Sequence, residues 1–282
     1  KFRQLASKTA IKLPAKTISL KEWSNQLYAY INQNDFANEI DFWQQQLSRL
    51  NTMPVTKQPL LEKDQNTINF SFSKSFSAML IQEACPEQNL KINEYLMIKF
   101  ATAYKKWSLA DFINMNICGH GRDGLIKNAD LSRTVGWFNT VYPLMFDLNV
   151  GDLSKQIKHK LATVPHKAMH YGLLRFIKKQ AEICHLDEPN IFFNYVSKID
   201  KSLPDKLPLQ LLKLPNKVKY AAAHNKAFYS LYVEAAIVEG ELNIELSYNS
   251  EQFEAGKINE LVEIFKNHVN TPHGSDIENI AV

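Results

Sequence analysis

The sequence predicts a mixed α/β sandwich built on one main sheet, and three observations carry that prediction. Apolar/polar alternation of period two marks strands at residues 67–73, 112–118, 191–196, 227–237 and 241–248. Apolar stripes of helical period mark residues 19–31, 36–47, 92–107, 152–164 and 251–269. The order is helices, strand, helices, two strands, helices, then strands and a last helix, which favours helices laid on a sheet over a bundle or an all-β barrel. At 282 residues and 45% hydrophobic composition, the chain has an ordinary core for one large domain or two small ones.

Composition also excludes partners. The formal charge of +4 is spread among interspersed acids and bases, so the basic stripe that nucleic-acid binding needs is missing. No apolar run approaches the roughly 18 residues of a membrane span. Cys85, Cys118 and Cys184 are odd in number, far apart and without C-x-x-C spacing. That usage suits a reducing, cytoplasmic compartment and argues against a disulfide framework or a zinc site.

The elements follow in order. Residues 1–18 are a basic, proline-containing lead-in linker, and the domain proper runs over 19–269. Ser19 and Glu22 have capping-box spacing ahead of Trp23, Leu27 and Ile31, so a helix starts there. A second follows Asn34-Asp35, with Phe36, Ile40, Trp43 and Leu47 as one apolar stripe for core packing. Residues 51–66 are loop, 67–73 a half-buried strand, and 75–84 a helix stopped by Pro86. Ile92–Trp107 is helical and feeds the strand at Asp111.

Residues 111–148 are the most informative stretch, expected as a strand, a tight polar loop and a second strand in VGWFNTVYPLMF. Alternation puts Ile113, Met115 and Ile117 on one face, and Asn114, Asn116 and Cys118 on the other. Two amides are costly to bury without partners, so that polar face is expected to line a channel. The loop Gly119-His120-Gly121-Arg122-Asp123-Gly124 matches G-x-G-x-x-G, yet no helical period follows Gly124, as a dinucleotide fingerprint requires.

Asp152–Val164 is a helix ended by Pro165. His166 and His170 have i, i+4 spacing, but the sequence offers no nearby third ligand, so no metal site is expected. Tyr171–Cys184 is predicted helical and Ile191–Val196 a short strand. On a flat strand Asn194 and Tyr195 face opposite ways, so both reach one channel only through a bulge; otherwise one alone does. Residues 197–225, with three prolines, form a long irregular connection. Residues 227–237 and 241–248 form a hairpin turning at Glu239-Gly240; 251–269 is a final amphipathic helix, and 270–282 a tail or linker.

Four words in this order, GHGRD, DLSRTVGWFNTVYPL, VPHKAMHYGLLRF and FFNYV, resemble the condensation-domain superfamily of nonribosomal peptide synthetases. Among its members they are most similar to epimerization domains, whose pattern approximates EGHGRE, DLSRTVGWFTSxYP, a glycine-rich P-x-x-G-x-G-Y-G box and FNYLG. The resemblance runs from about Leu13 to Val269. It implies a chloramphenicol-acetyltransferase-like (CoA-dependent acyltransferase-like) fold, in which two halves form a V around a tunnel. It also implies that no cofactor is bound by the chain itself. The substrate is an aminoacyl or peptidyl thioester on the phosphopantetheine arm of a peptidyl carrier protein, with neighbouring synthetase domains as further partners, in secondary-metabolite biosynthesis.

Carried over by motif, Cys118, Asn194 and Tyr195 are the implied catalytic positions, and Asn114, Asn116, His120, Arg122, Arg133 and Trp137 line the substrate channel. There are two departures. The family's HHxxxDG motif supplies the base, and none of the eight histidines here is adjacent to another, so the chain resembles the C-terminal subdomain without its N-terminal half. Cys118 also stands where epimerization domains carry the Glu of EGHGR, and Ala168 and His170 replace glycines of the third word.

A thiol's ordinary pKa of about 8.5 leaves little thiolate at neutral pH unless a cation such as Arg122 or His120 lowers it. Condensation, where holding two substrates supplies much of the rate, tolerates that exchange better than two-base epimerization. The chain by itself is expected to be inactive. The alternatives are a non-catalytic carrier-docking or gatekeeping platform and an acyltransferase using free acyl-CoA.

Overall fold

The structure is a computed structural model and describes residues 10–54, 59–199 and 221–272, together with Gln4 and Ser7. Helix α1 spans Leu20–Gln33 and α2 Ala37–Leu47. Strand β1 (Gln65–Phe72) precedes α3 (Ile92–Ser108), then β2 (Phe112–Gly119) and β3 (Thr140–Asp147). After α4 (Leu153–Thr163) come β4 (Ile191–Ile199), β5 (Leu231–Val238), β6 (Glu241–Asn249) and α5 (Ala255–Asn270). The six strands form one mixed sheet in the order β1-β6-β5-β4-β2-β3. β4 is parallel to both neighbours, and the other pairs are antiparallel. This is the predicted mixed α/β architecture.

Local chemistry explains the boundaries. Ser19 caps α1 by accepting from Glu22 N at 3.1 Å, and Asp152 caps α4 by accepting from Lys155 N at 2.8 Å. Glu239 (φ +53°) and Gly240 (φ +88°) make the turn of the β5–β6 hairpin, both in the left-handed region that such turns use. Along β5, Leu231, Val233, Ala235 and Ile237 are buried while the residues between them are partly exposed. The buried face lies under α3 and α5, where Phe100 meets Phe193 at 6.1 Å and Phe265 at 5.4 Å between ring centroids. Fully burying such a side chain contributes about 1.5–3 kcal/mol, so this three-ring contact holds both helices to the sheet. The opposite face is covered at β2 by the end of α2.

Several expectations need correction. Pro86 does not stop the preceding helix. Lys74–Met79 widens into a π turn at Leu80–Ala84, and a last helical turn runs through Cys85–Glu87. The wider turn gives room where a proline ring would press on the carbonyl four residues back. The segment predicted as one helix over 171–184 is broken into Met169–Gly172, a π turn at Leu173–Lys178, and Ala181–Cys184, because Lys179 turns left-handed (φ +52°). β4 is longer than expected, and the connection after it falls largely on residues 200–220, outside the described residues, as does most of the tail. Among the described residues, no helix is long and apolar enough to cross a membrane.

The loop after β2 is also longer than the tight connection expected, because β3 begins only at Thr140. Residues 120–139 fold around Arg122, whose guanidinium donates to the carbonyls of Leu131 (2.5 Å) and Thr134 (3.0 Å) and lies 4.1 Å above the Phe138 ring. Leu131, Phe138, Met169 and Trp23 of α1 make a small second core there. Thr17 and Ile18 of the lead-in join this loop: Ile18 N donates to Asp130 O at 3.2 Å, and the Thr17 and Thr134 hydroxyls are 2.9 Å apart. Gly121, at φ +63°, is required where the loop returns: a Cβ there would lie 1.6 Å from the Phe138 carbonyl oxygen. No helix opens at Gly124, so the G-x-G-x-x-G string serves loop geometry and not a pyrophosphate.

Candidate active-site cleft

The site forms where two parallel strands part. β2 and β4 pair only at Asn116–Phe192 and Ile117–Phe193; beyond those pairs their carboxyl ends diverge. A cleft of ≈ 880 Å³ opens between them. Crevices outside the carboxyl ends of parallel strands are where open α/β sheets take ligands. Because the opening lies between strands, it is lined from both faces of the sheet. Cys118, Asn194 and Glu234 come from one face, and Ile117, Phe193 and Tyr195 from the other. Asn194 and Tyr195 therefore both reach it. The register between β4 and β5 does slip between Tyr195 and Lys198, but the parting of the strands is what exposes both side chains.

The cleft's hydrogen bonds are specific. Cys118 Sγ accepts from Asn139 Nδ2 at 3.3 Å. Asn194 Nδ2 donates to Glu234 Oε2 at 3.2 Å, and the Tyr232 hydroxyl donates to the same oxygen at 2.9 Å. Three phenols nearby are held in the neutral form. Burial pushes Tyr142 up to about 12, with Cys118 and Asp123 adding to it. Burial and then Glu234 push Tyr232 up, and burial and then Cys85 push Tyr195 up. At neutral pH these phenols are O–H donors and not bases. The other groups of the cleft lining able to accept a proton are Cys118, His120 and the carboxylates of Glu94, Asp123 and Glu234. Lys91, Lys158 and Lys167 also line it.

Of the residues singled out from the sequence, Cys118, His120, Trp137, Asn194 and Tyr195 are brought together here. Trp137 is 92% exposed on the 120–139 loop, at the cleft's mouth. Asn114 and Asn116 are not on the cleft: they are buried, contrary to the channel expected along their face. Asn114 Nδ2 donates to the carbonyls of Gln46 (2.6 Å) and Arg49 (2.8 Å), tying β2 to the end of α2. Asn51 brackets the Asn114 backbone, donating to its carbonyl at 2.5 Å and accepting from its N–H at 2.8 Å. Asn116 Nδ2 donates to Glu188 Oε2 at 3.2 Å. Their Nδ2 donors are met by protein carbonyls and a carboxylate, while the Oδ1 atoms of both are buried without a protein hydrogen-bond partner.

Arg122 is likewise a loop clasp, its donors turned to carbonyls; it does not line the cleft with Cys118. Arg133 is exposed on the same loop and outside the cleft. His120 Nδ1 accepts from Arg122 N at 3.0 Å, and its Nε2 lies 3.5 Å from Asp123 Oδ1.

The family model of the condensation domain matches residues 2–272. The chain belongs to the condensation-domain family. It is 28% identical to surfactin synthase subunit 2 of Bacillus subtilis (strain 168) over 276 residues, covering 95% of this chain and 8% of that protein. Against tyrocidine synthase 1 of Brevibacillus parabrevis it is 26% identical over 285 residues, covering 95% of this chain and 26% of the relative. The chain thus spans a small part of these peptide synthetases. The crystal structure of the epimerization domain from the third module of tyrocidine synthetase B superposes with a TM-score of 0.83 at 24% identity, over 96% of this chain and 63% of that one. The mixed sheet with its flanking helices is therefore the CoA-acyltransferase-like α/β fold of condensation domains.

The third sequence word takes a left-handed path in this chain without glycine. Ala168, at a position where epimerization domains are expected to carry glycine, has φ +61°, preceded by His166 at +44° and Lys167 at +53°. Two features of the site escaped sequence reasoning. Glu234 lies in the alternating hairpin, where its outward phase was legible; that it faces Asn194 depends on the parallel β4–β5 register. The three lysines come from separate segments, and no local pattern joins them.

Proposed function

We propose that this condensation-domain chain is one half of an epimerization- or condensation-type unit, and that its cleft receives an aminoacyl or peptidyl thioester on the phosphopantetheine arm of a carrier protein. The observation that carries this reading is the convergence of Cys118, Asn194 and Tyr195 from two parting strands on one opening lined from both sides of the sheet. A thin, extended arm suits such a slot, and Lys91, Lys158 and Lys167 on its wall are cations able to meet the arm's phosphate, beside the carboxylates of Glu94, Asp123 and Glu234.

In epimerization, a base removes the Cα proton of the thioester to give an enolate, and a proton returned to the opposite face inverts the centre. The neutral Tyr195 hydroxyl and the Asn194 amide are donors suited to the developing enolate oxygen. Glu234 fixes the Asn194 amide through its 3.2 Å bond. Cys118 stands on one side; the base on the other belongs to the HHxxxDG motif of a further subdomain, and this chain contains no adjacent histidine pair. By itself the chain is inactive, and peptidyl carrier protein, that subdomain and neighbouring synthetase domains are its partners.

The test is solvent-deuterium incorporation at Cα of a carrier-bound aminoacyl thioester, with the chain joined to an HHxxxDG-bearing half. Incorporation with loss of chirality is the expected result for an epimerase; peptide formation with a second loaded carrier identifies condensation. A second reading rests on Cys118 replacing the family's Glu: a docking or gatekeeping platform that binds loaded carrier without turnover. Silence in both assays with saturable carrier binding selects it. Tight binding of free acyl-CoA in place of carrier overturns both.

A further inference from the structure

We propose that Glu39, His166 and His170 form a binding site for one divalent transition-metal ion of the zinc type, joining α2 to the turn that walls the cleft. His166 and His170 lack a third ligand in their own sequence neighbourhood; the fold supplies it from a residue 131 positions before His170. Glu39 Oε1 lies 2.7 Å from His170 Nδ1 and 3.4 Å from His166 Nε2. One ligand atom from each of the three residues falls within 4.8 Å of the other two. The two imidazoles are stacked, with centroids 4.1 Å apart.

Three further features fit a metal better than a plain ion pair. Glu39 Oε2 is buried and has no hydrogen-bond partner, an orphaned acceptor beside two imidazoles. His170 Nε2 lies 3.0 Å from the Tyr30 hydroxyl, the outer contact that orients a ligating imidazole and leaves Nδ1 for the ion. His166 is placed over His170 by three successive left-handed non-glycine residues, a strained path of the kind found at ligand clamps.

Two nitrogens and a carboxylate are a donor set for zinc, and they mismatch the all-oxygen preference of magnesium and calcium. His170 is 2% exposed and Glu39 12%, whereas His166 is 55% exposed. The ion would therefore enter from the His166 side and keep a solvent position there. None of the three ligands lines the cleft, but Val164 and Lys167, on either side of His166 in sequence, do. An ion here would fix that wall without taking part in chemistry at Cys118.

The test is titration of the chelator-treated chain with Co²⁺, followed by competition with Zn²⁺. The expected result is one saturable site with a visible ligand-field spectrum of low coordination number, displaced by Zn²⁺ and untouched by Mg²⁺. His166→Ala, at an exposed side chain that the fold does not need, should weaken Zn²⁺ binding by about 100-fold or more, and Glu39→Gln by at least about 10-fold. His159→Ala, at an exposed histidine on α4, should leave it unchanged. Binding that survives His166→Ala and Glu39→Gln, or no saturation below about 100 µM, overturns the proposal.

Discussion

One face of β2 carries Asn114, Asn116 and Cys118 in the same phase, yet the first two belong to a scaffold and the third to a cleft. The difference lies in what stands opposite. At Asn114 the end of α2 presents carbonyls, and at Asn116 the Glu188 carboxylate is already gathered by Arg175 Nε at 2.6 Å and the Tyr171 hydroxyl at 2.7 Å. At Cys118 the neighbouring strand has turned away, leaving room for a ligand. On this face the fold meets the amide N–H donors of Asn114 and Asn116, whereas beside Cys118 it leaves room for a substrate to fill.

The comparison breaks most sharply at Arg175. It is buried, pairs with Glu188, and donates through its guanidinium to the carbonyls of Ile183 and Leu186. Arg175→Met should cost about 3–5 kcal/mol in urea unfolding, because it takes the cation from the Glu188 carboxylate and the donor from two carbonyls. A loss under about 1 kcal/mol would mean that the network behind β2 is not a scaffold. Gly121→Ala should follow at roughly 2 kcal/mol, since its Cβ would overlap the Phe138 carbonyl at positive φ. Its first sign should be faster amide exchange over residues 120–139, with the sheet still protected.

Alkaline titration gives a further contrast. Burial pushes Cys85 up to about 11, and Tyr104 and Tyr142 up to about 12. Each group is held neutral in the folded chain, so its contribution is complete below its unfolded pKa and is lost as pH rises through the folded one. Stability should be level to about pH 9 and fall between about pH 9 and 12. Tyr142→Phe should remove one share of that fall, about 2 kcal/mol, as read from urea midpoints across the range. An unchanged slope would place the Tyr142 hydroxyl in contact with water.

Much of the fold was legible because its signals are local. The Ser19 and Asp152 caps, the Glu239-Gly240 turn and the β5–β6 alternation each depend on a few adjacent residues. Elements that depend on distant partners were not. VGWF looks like a strand from its composition, but Val135 and Trp137 are exposed, because Arg122 and Phe138 hold that stretch as a loop. The motif words brought Cys118, Asn194 and Tyr195 to notice, while Glu234 and Glu39 could be placed only by strand register and by helix packing.

The left-handed turn offers a smaller test. Lys167 is exposed with φ +53° and has no capping glycine on either side. A non-glycine residue in that region costs roughly 1–2 kcal/mol, so Lys167→Gly should stabilise the chain by about 1 kcal/mol after glycine's own entropic loss. The check is a higher urea midpoint at unchanged slope. No gain would mean that contacts of the lysine stem offset the strain, making the turn part of the packed scaffold.

The smallest expected change in stability decides most about the cleft. Glu234 is partly exposed, and Gln keeps its shape and an oxygen able to accept from Asn194 or Tyr232. Glu234→Gln should therefore shift stability by no more than about 0.5 kcal/mol. If Glu234 fixes the Asn194 amide for an enolate oxygen, the same change should slow deuterium exchange at Cα by about 10-fold or more in the chain joined to an HHxxxDG half, where a weakened charge-assisted bond no longer fixes the donor. Carrier binding should be unaltered. Arg175→Met should give the reverse pattern: large in unfolding, with exchange by the folded fraction little changed. Should Glu234→Gln instead unfold the chain as readily as Arg175→Met, the carboxylate at the cleft and the one behind β2 would be doing the same work, and the division between site and scaffold on this face would fail.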